Sequence, residues 1–292
     1  MATDRADPLM TNAGARAGRD GEPPPEAVEM VAPAKLTLSL KVTGVRPDGY
    51  HEIESEMVTL DLADTLVISP GDGLSIDYAA SAVRGVGADA PVLDAGADNL
   101  VVRALKAVGR TAGVRLTKRI PLGAGLGGGS ANAAAILRWA GCTDLGVAAE
   151  LGADVPFCVT GGRALVRGIG ESVTAMAYEA KEFTLLLPPF GVDTGAVYRA
   201  WDSLVATGAL PEEATSGNDL EAPAMVVEPR LALWREALVV ATGAEPRLAG
   251  SGSTWFVEGR PDEFGLQGRH SLQVGPASGR LLSARTAPAI HP

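Results

Sequence analysis

The chain has 292 residues, 46% of them apolar and 4% aromatic, with a formal charge of −10. That length is ample for two domains, and the core must be built mainly from Ala, Val and Leu. The negative balance argues against nonspecific nucleic-acid binding; two cysteines and three histidines argue against a zinc cluster; and no run approaches the roughly 20 apolar residues that cross a bilayer.

Residues 1–27 are rich in Pro, Gly, Ala and charge and lack the apolar segment of a signal peptide, so a disordered leader and a cytoplasmic protein are expected. Over 35–43 Leu36, Leu38, Leu40 and Val42 alternate onto one face of a half-buried strand. Arg46-Pro-Asp-Gly49 is a turn signature leading to a strand around 52–60. Residues 64–69 and 74–78 read as short strands. Asp98 can cap a helix that carries Leu100, Ala104, Leu105 and Val108 at helical spacing. Residues 114–117 form a strand that enters a glycine-rich run; 130–140 and 144–151 are helical, the second ended by Gly152. Strands follow at 161–167 and 183–187, then helices at 194–205 and 228–241. Strands at 246–249 and 254–257 flank a second glycine turn at 250–253. A short helix over 261–266 and a last strand over 271–274 precede a flexible tail, 276–292. The mixed order favours an α+β fold, divided into domains 28–175 and 176–275. Cys142 and Cys158 read as small buried residues.

The glycine-rich run comprises Pro121, Leu122, Gly123, Ala124, Gly125, Leu126, Gly127, Gly128, Gly129, Ser130 and Ala131. Glycine lets the backbone reach positive φ and approach a ligand without a Cβ. Converging amides and the positive end of the next helix suit a polyphosphate. A Walker loop would end in Gly-Lys-Ser/Thr, and this run has no lysine. Gly123-Ala-Gly125-Leu-Gly-Gly128, with Asp144 downstream, fits the bare dinucleotide pattern, but that fingerprint opens a first βα unit and this loop lies behind several antiparallel-looking strands. The protein-kinase motif set is absent.

The remaining pattern, Pro-x-Gly-x-Gly-Leu-Gly-Gly-Gly-Ser, resembles the nucleotide loop of the GHMP small-molecule kinases. Ala32-Pro-Ala-Lys35, Arg46-Pro-Asp-Gly-Tyr-His51, Gly152-Ala-Asp-Val-Pro-Phe157, Gly217-Asn-Asp-Leu-Glu221 and Gly250-Ser-Gly-Ser253 narrow the match. In that order they are similar, over residues 30–275, to one GHMP family, the 4-diphosphocytidyl-2-C-methyl-D-erythritol kinases of the non-mevalonate isoprenoid pathway.

The resemblance implies an N-terminal domain like ribosomal protein S5 domain 2, a ferredoxin-like C-terminal domain, ATP and Mg²⁺, a small-molecule substrate and a monomer or homodimer. It makes Asp154 the catalytic base and Lys35 its partner. A carboxylate can accept the hydroxyl proton during phosphoryl transfer while a lysine offsets phosphate charge. It assigns 121–131 to ATP, Ser130 to phosphate or Mg²⁺, and Lys118 to the neighbourhood of the adenine nucleotide. Thr37, Tyr50, His51 and Tyr198 fall to the substrate, the aromatic residues stacking on cytosine and His51 reading its edge. Thr37 stands where relatives carry an asparagine, and 131–151 is shorter than in relatives, so different packing behind the loop is expected. Another GHMP kinase, or a silent nucleotide-binding homologue, are the alternatives.

Overall fold

The structure, a computed structural model, describes residues 26–79, 93–211 and 216–290. All but the end of the expected leader lies outside them. Two long strands, β1 (Val28–Val45) and β2 (His51–Ser69), pair antiparallel from end to end through the turn at Gly49, whose φ is +86°. The two strands expected at 52–60 and 64–69 are thus one. Register shifts at Pro33/Lys35, Thr37/Ser39 and Val42/Gly44 bend the ribbon, as bulges do. The far edge of β2 then serves two strands. Its end holds β4 (Gly113–Lys118), which pairs in parallel with β3 (Leu74–Tyr78). Its start holds β5 (Arg163–Gly168), extended by β6 (Ser172–Ala175).

Among the described residues four helices pack with this sheet: α1 (Leu100–Ala107), α2 (Gly128–Trp139), α3 (Leu145–Leu151) and α4 (Val155–Thr160). Asn99, not the expected Asp98, caps α1, accepting a bond from the Val101 amide at 2.9 Å. Asp144 caps α3 through the Gly146 amide at 2.8 Å. Every side chain of α2 from Ala131 to Leu137 is buried. A helix buried on all sides needs small residues, and its alanines supply them.

The chain leaves the first sheet after β6 and enters the second with β7 (Glu182–Leu187). That sheet runs β10 (Ser271–Val274), β11 (Ala277–Arg285), β7, β9 (Trp255–Glu258), β8 (Arg247–Leu248), all antiparallel. Leu186, Trp255 and Leu281 share a core with Val197 of α5 (Thr194–Ala206), Ala224 of α6 (Glu221–Val227), and Leu231, Trp234 and Leu238 of α7 (Arg230–Thr242). Phe183, Leu185, Leu187, Phe256 and Ala284 join the first sheet's core. Burial on both faces explains the apolar run Leu185–Leu187 of β7. Among the described residues no helix is long and apolar enough to cross a membrane.

Three expectations need correction. Residues 277–285 are not a flexible tail: β11 pairs with β7 from Glu182 to Leu187 and buries Leu281 and Ala284. Its serines and arginines disguise a strand that turns Leu281 into one core and Ala284 into the other. Residues 261–266 form turns, not a helix, closed by short-range bonds and by Gly265 at φ +69°. Helices α4 and α6 and strand β6 were not anticipated, because each is too short to display a period.

Deleting residues 276–292 should therefore strip β7 of one neighbour. Losing two or more buried apolar side chains costs roughly 3 kcal/mol or more. That corresponds to a fall of about 5 °C in Tm for a protein of this size, and thermal unfolding would show it. A loose tail would leave Tm unchanged.

Candidate active site

The foundation of the site is a buried carboxylate. Asp64 of β2 is fully buried and accepts from the Arg119 and Ile120 amides at 2.6 and 2.8 Å and from Asn132 Nδ2 at 2.9 Å. It also holds the Lys118 ammonium, which donates in turn to Asn132 Oδ1 at 3.1 Å. These contacts tie β2, the end of β4 and α2 together under the glycine loop. Burial pulls the Lys118 pKa below the ordinary lysine range, and Asp64 opposes that shift. Lys118 is 1% exposed, and its ammonium sits beneath the loop, 3.0 Å from where a Cβ on Gly128 would be.

The loop turns inward and outward by residue. Ala124, Leu126 and Ala131 are buried, while Gly123 and Gly129 are exposed. The Leu126 carbonyl accepts from the Lys35 amide at 3.0 Å, stitching the loop to β1. Gly127, at φ +68°, is the N-cap of α2, so Ser130 lies inside the first turn. Among the described residues its hydroxyl has no hydrogen-bond partner. The loop's other side meets the second glycine turn. A Cβ on Gly125 would lie 2.5 Å from the Gly252 carbonyl oxygen and 2.9 Å from that of Ala249. Thr254 Oγ1 donates to the Ala124 carbonyl at 2.6 Å. Asn218 clamps the second turn from behind, donating to the Leu248 and Gly250 carbonyls at 2.9 and 2.8 Å.

Lys35 and Asp154 meet beside these turns. Lys35 Nζ lies 3.4 Å from Asp154 Oδ2 and donates to Thr37 Oγ1 at 3.0 Å. The Lys35 side chain is 7% exposed and that of Asp154 31%, so the carboxylate is the open end of the pair. Asp154 occupies the N-cap position of α4, yet its side chain makes no capping bond. One turn on, burial pushes the Cys158 thiol up to about 12, with the Asp154 charge adding to the shift, so it stays protonated as a packing residue. Thr37 is 1% exposed, so it faces Lys35, not open space.

A second cluster forms around His51. Its ring lies 4.6 Å from that of Tyr198 at 31° and 5.4 Å from that of Trp201, edge-on at 90°. His51 Nε2 is 2.8 Å from Asp202 Oδ1. Burial, then the charge of Asp154, lifts the Tyr198 pKa to about 12. The phenol therefore stays neutral, and the cluster lies within electrostatic reach of Asp154. Tyr50 sits on the β1–β2 turn, 62% exposed.

Residues 99–162, from the α1 cap through α4, match the family described as GHMP kinases N terminal domain. A 4-diphosphocytidyl-2-C-methyl-D-erythritol kinase of Paracoccus denitrificans is 40% identical over 239 residues, covering 77% of this chain and 84% of that protein. The chain belongs to the 4-diphosphocytidyl-2-C-methyl-D-erythritol kinases. The relative of that name from Cereibacter sphaeroides strain KD131 is 38% identical, with 78% and 88% covered. A crystal structure of a 4-(cytidine 5'-diphospho)-2C-methyl-D-erythritol kinase is 32% identical, with a TM-score of 0.63 over 88% of this chain and 98% of that one. Homoserine kinase from Cytophaga hutchinsonii, 18% identical with a TM-score of 0.56 over 93% and 98% of the two chains, shares the fold alone.

In this chain, tertiary structure unites Lys35, Thr37 and Asp154 on one hand and His51 and Tyr198 on the other. Sequence reading missed Asp64, Asn132, Trp201 and Asp202. Only Trp201 and Asp202 left a trace, as the helical i+3 and i+4 neighbours of Tyr198.

Gly125→Ala tests the contact between the two glycine turns. The left-handed backbone and the clash with the Gly252 carbonyl together cost about 2–5 kcal/mol. Gly123→Ala, whose Cβ would meet nothing closer than 3.7 Å, is the control. It bears only the backbone term, about 1–2 kcal/mol. Urea unfolding of the pair should separate the two costs.

Proposed function

We propose that this site transfers the γ-phosphoryl group of ATP to the 2-hydroxyl of 4-diphosphocytidyl-2-C-methyl-D-erythritol, in the cytoplasm, as a step toward isoprenoid precursors. The observation that carries the reading is the Lys35–Asp154 pair at 3.4 Å beside the glycine loop. The names of the relatives supply the substrate. Asp154, the exposed member, accepts the hydroxyl proton as the phosphoryl group moves. A loose transition state keeps negative charge on the transferred group, and the Lys35 ammonium offsets it. Thr37 holds Lys35 in place. Amides of the exposed part of the loop and the N-terminus of α2 cradle the phosphates.

Magnesium takes few protein ligands when phosphates and water complete its shell. Ser130 fits such a site, because its hydroxyl is a hard oxygen donor in the first turn of α2 without another partner. Bound there, the ion would neutralise phosphate charge. Tyr50 and Tyr198 stack on the cytosine and His51 reads its edge. The enzyme works as a monomer or homodimer.

ADP release tests the reading: turnover with 4-diphosphocytidyl-2-C-methyl-D-erythritol, and none above background with mevalonate or homoserine, is expected. Asp154→Asn should fold normally and lose roughly 10²–10⁴-fold in kcat. A variant retaining more than about a tenth of wild-type turnover removes Asp154 from the base role. Replacing cytidine by uridine in the substrate should cost at least ~100-fold in kcat/KM, because donor and acceptor exchange places at the base edge. Steady-state kinetics at saturating ATP measures it, and equal efficiencies would mean that the aromatic cluster does not read the base.

A further inference from the structure

Helix α5 presents three successive contacts to one imidazole. Tyr198, Trp201 and Asp202 stand at i, i+3 and i+4, one face of a helix. Tyr198 covers the face of the His51 ring, Trp201 meets its edge, and Asp202 takes Nε2 at 2.8 Å. The His51 side chain is 9% exposed while that of Asp202 is 49% exposed. The ring is therefore fixed by packing, and the carboxylate at its rim is reachable by water. Among the described residues Nδ1 has no hydrogen-bond partner.

A carboxylate only accepts, so Nε2 must carry the hydrogen of the pair. In a neutral imidazole the other nitrogen is then left with a lone pair. We propose that Asp202 is a positioning residue that fixes His51 as the Nε2–H tautomer, so that Nδ1 presents a lone pair selective for the exocyclic amino group of cytosine over the carbonyl of uracil. This rests on the reading of the cluster as the base site, and names what sets its specificity. An amino donor satisfies Nδ1. A carbonyl oxygen sets two lone pairs against each other and leaves both unpaired, which is the costly outcome at a dry site. Stacking on Tyr198 cannot make this distinction, since both bases offer a flat face. Asp202 never needs to touch the substrate.

Asp202→Asn separates the roles. The amide is nearly isosteric, but it can donate to Nε2 as well as accept from it, and so admits the Nδ1–H tautomer. The preference for the cytidine substrate over its uridine analogue, as a ratio of kcat/KM at pH 8 and saturating ATP, should fall at least ~10-fold in the variant. Long-range ¹H–¹⁵N spectra of the free enzyme, with His51 assigned through a His51→Gln variant, should show the Nε2–H pattern in wild type and a shift toward Nδ1–H in Asp202→Asn. A purely structural role for Asp202 would move neither the base ratio nor the tautomer. If wild type prefers cytidine and the variant keeps both the ratio and the Nε2–H pattern, the proposal is overturned and the base-site reading stands. If wild type shows no base preference, the base-site reading falls and the proposal with it. If wild-type His51 carries its hydrogen on Nδ1, the proposal alone is overturned.

Discussion

One buried carboxylate organises the glycine-loop side of this molecule. Asp64 receives two backbone amides, one side-chain amide and one ammonium. An interior charge is tolerable only when its lone pairs are filled, and here they are. The arrangement fixes the exit of β4, the entry of the glycine loop and the first turns of α2 relative to β2. Lys118 and the amides of Arg119 and Ile120 follow one another at the end of β4, and Asn132 belongs to α2, so the carboxylate joins two separate stretches of chain to β2. Removing the carboxylate would leave a buried ammonium unpaired, a loss of about 3–5 kcal/mol concentrated under the loop.

The two sheets add a second constraint. Strand β7 is apolar on both faces, so the second sheet must be covered by α5–α7 on one side and by the first core on the other. That packing brings the second glycine turn against the first, close enough that Gly125 has no room for a Cβ. Asn218 donates to two carbonyls of the second turn, which gives the Gly-Asn-Asp segment a structural task. Asp219 extends it by accepting from the Val42 amide at 2.8 Å, linking the segment to β1.

The bulges in β1 connect this frame to the chemistry. Lys35 and Thr37 lie between register shifts, and both are buried although they stand on the face opposite Leu36 and Leu38. Regular alternation would make that face a wet one. The glycine turns cover it instead, and the ammonium is left with Thr37 and Asp154 as partners. The lysine is therefore held by its surroundings, while the aspartate stays partly open.

Local pattern was enough for much of this protein. The alternation of β1, the helix after the glycine run and the left-handed glycines follow from short-range sterics and periodicity, and the ordered motifs identified the GHMP kinase family with its α+β fold. Those signals are local because they report backbone preference and which face is apolar. Partnership between distant residues leaves no such period. That Lys118 is enclosed and not displayed, that Thr37 serves Lys35, that Asp202 reaches His51 across 151 positions, and that the serine- and arginine-rich end of the chain is a strand, were all decided by packing. A lysine in a strand or an aspartate on a helix reads alike in sequence whether it faces water or a buried partner, because its surroundings are supplied by chain segments far away.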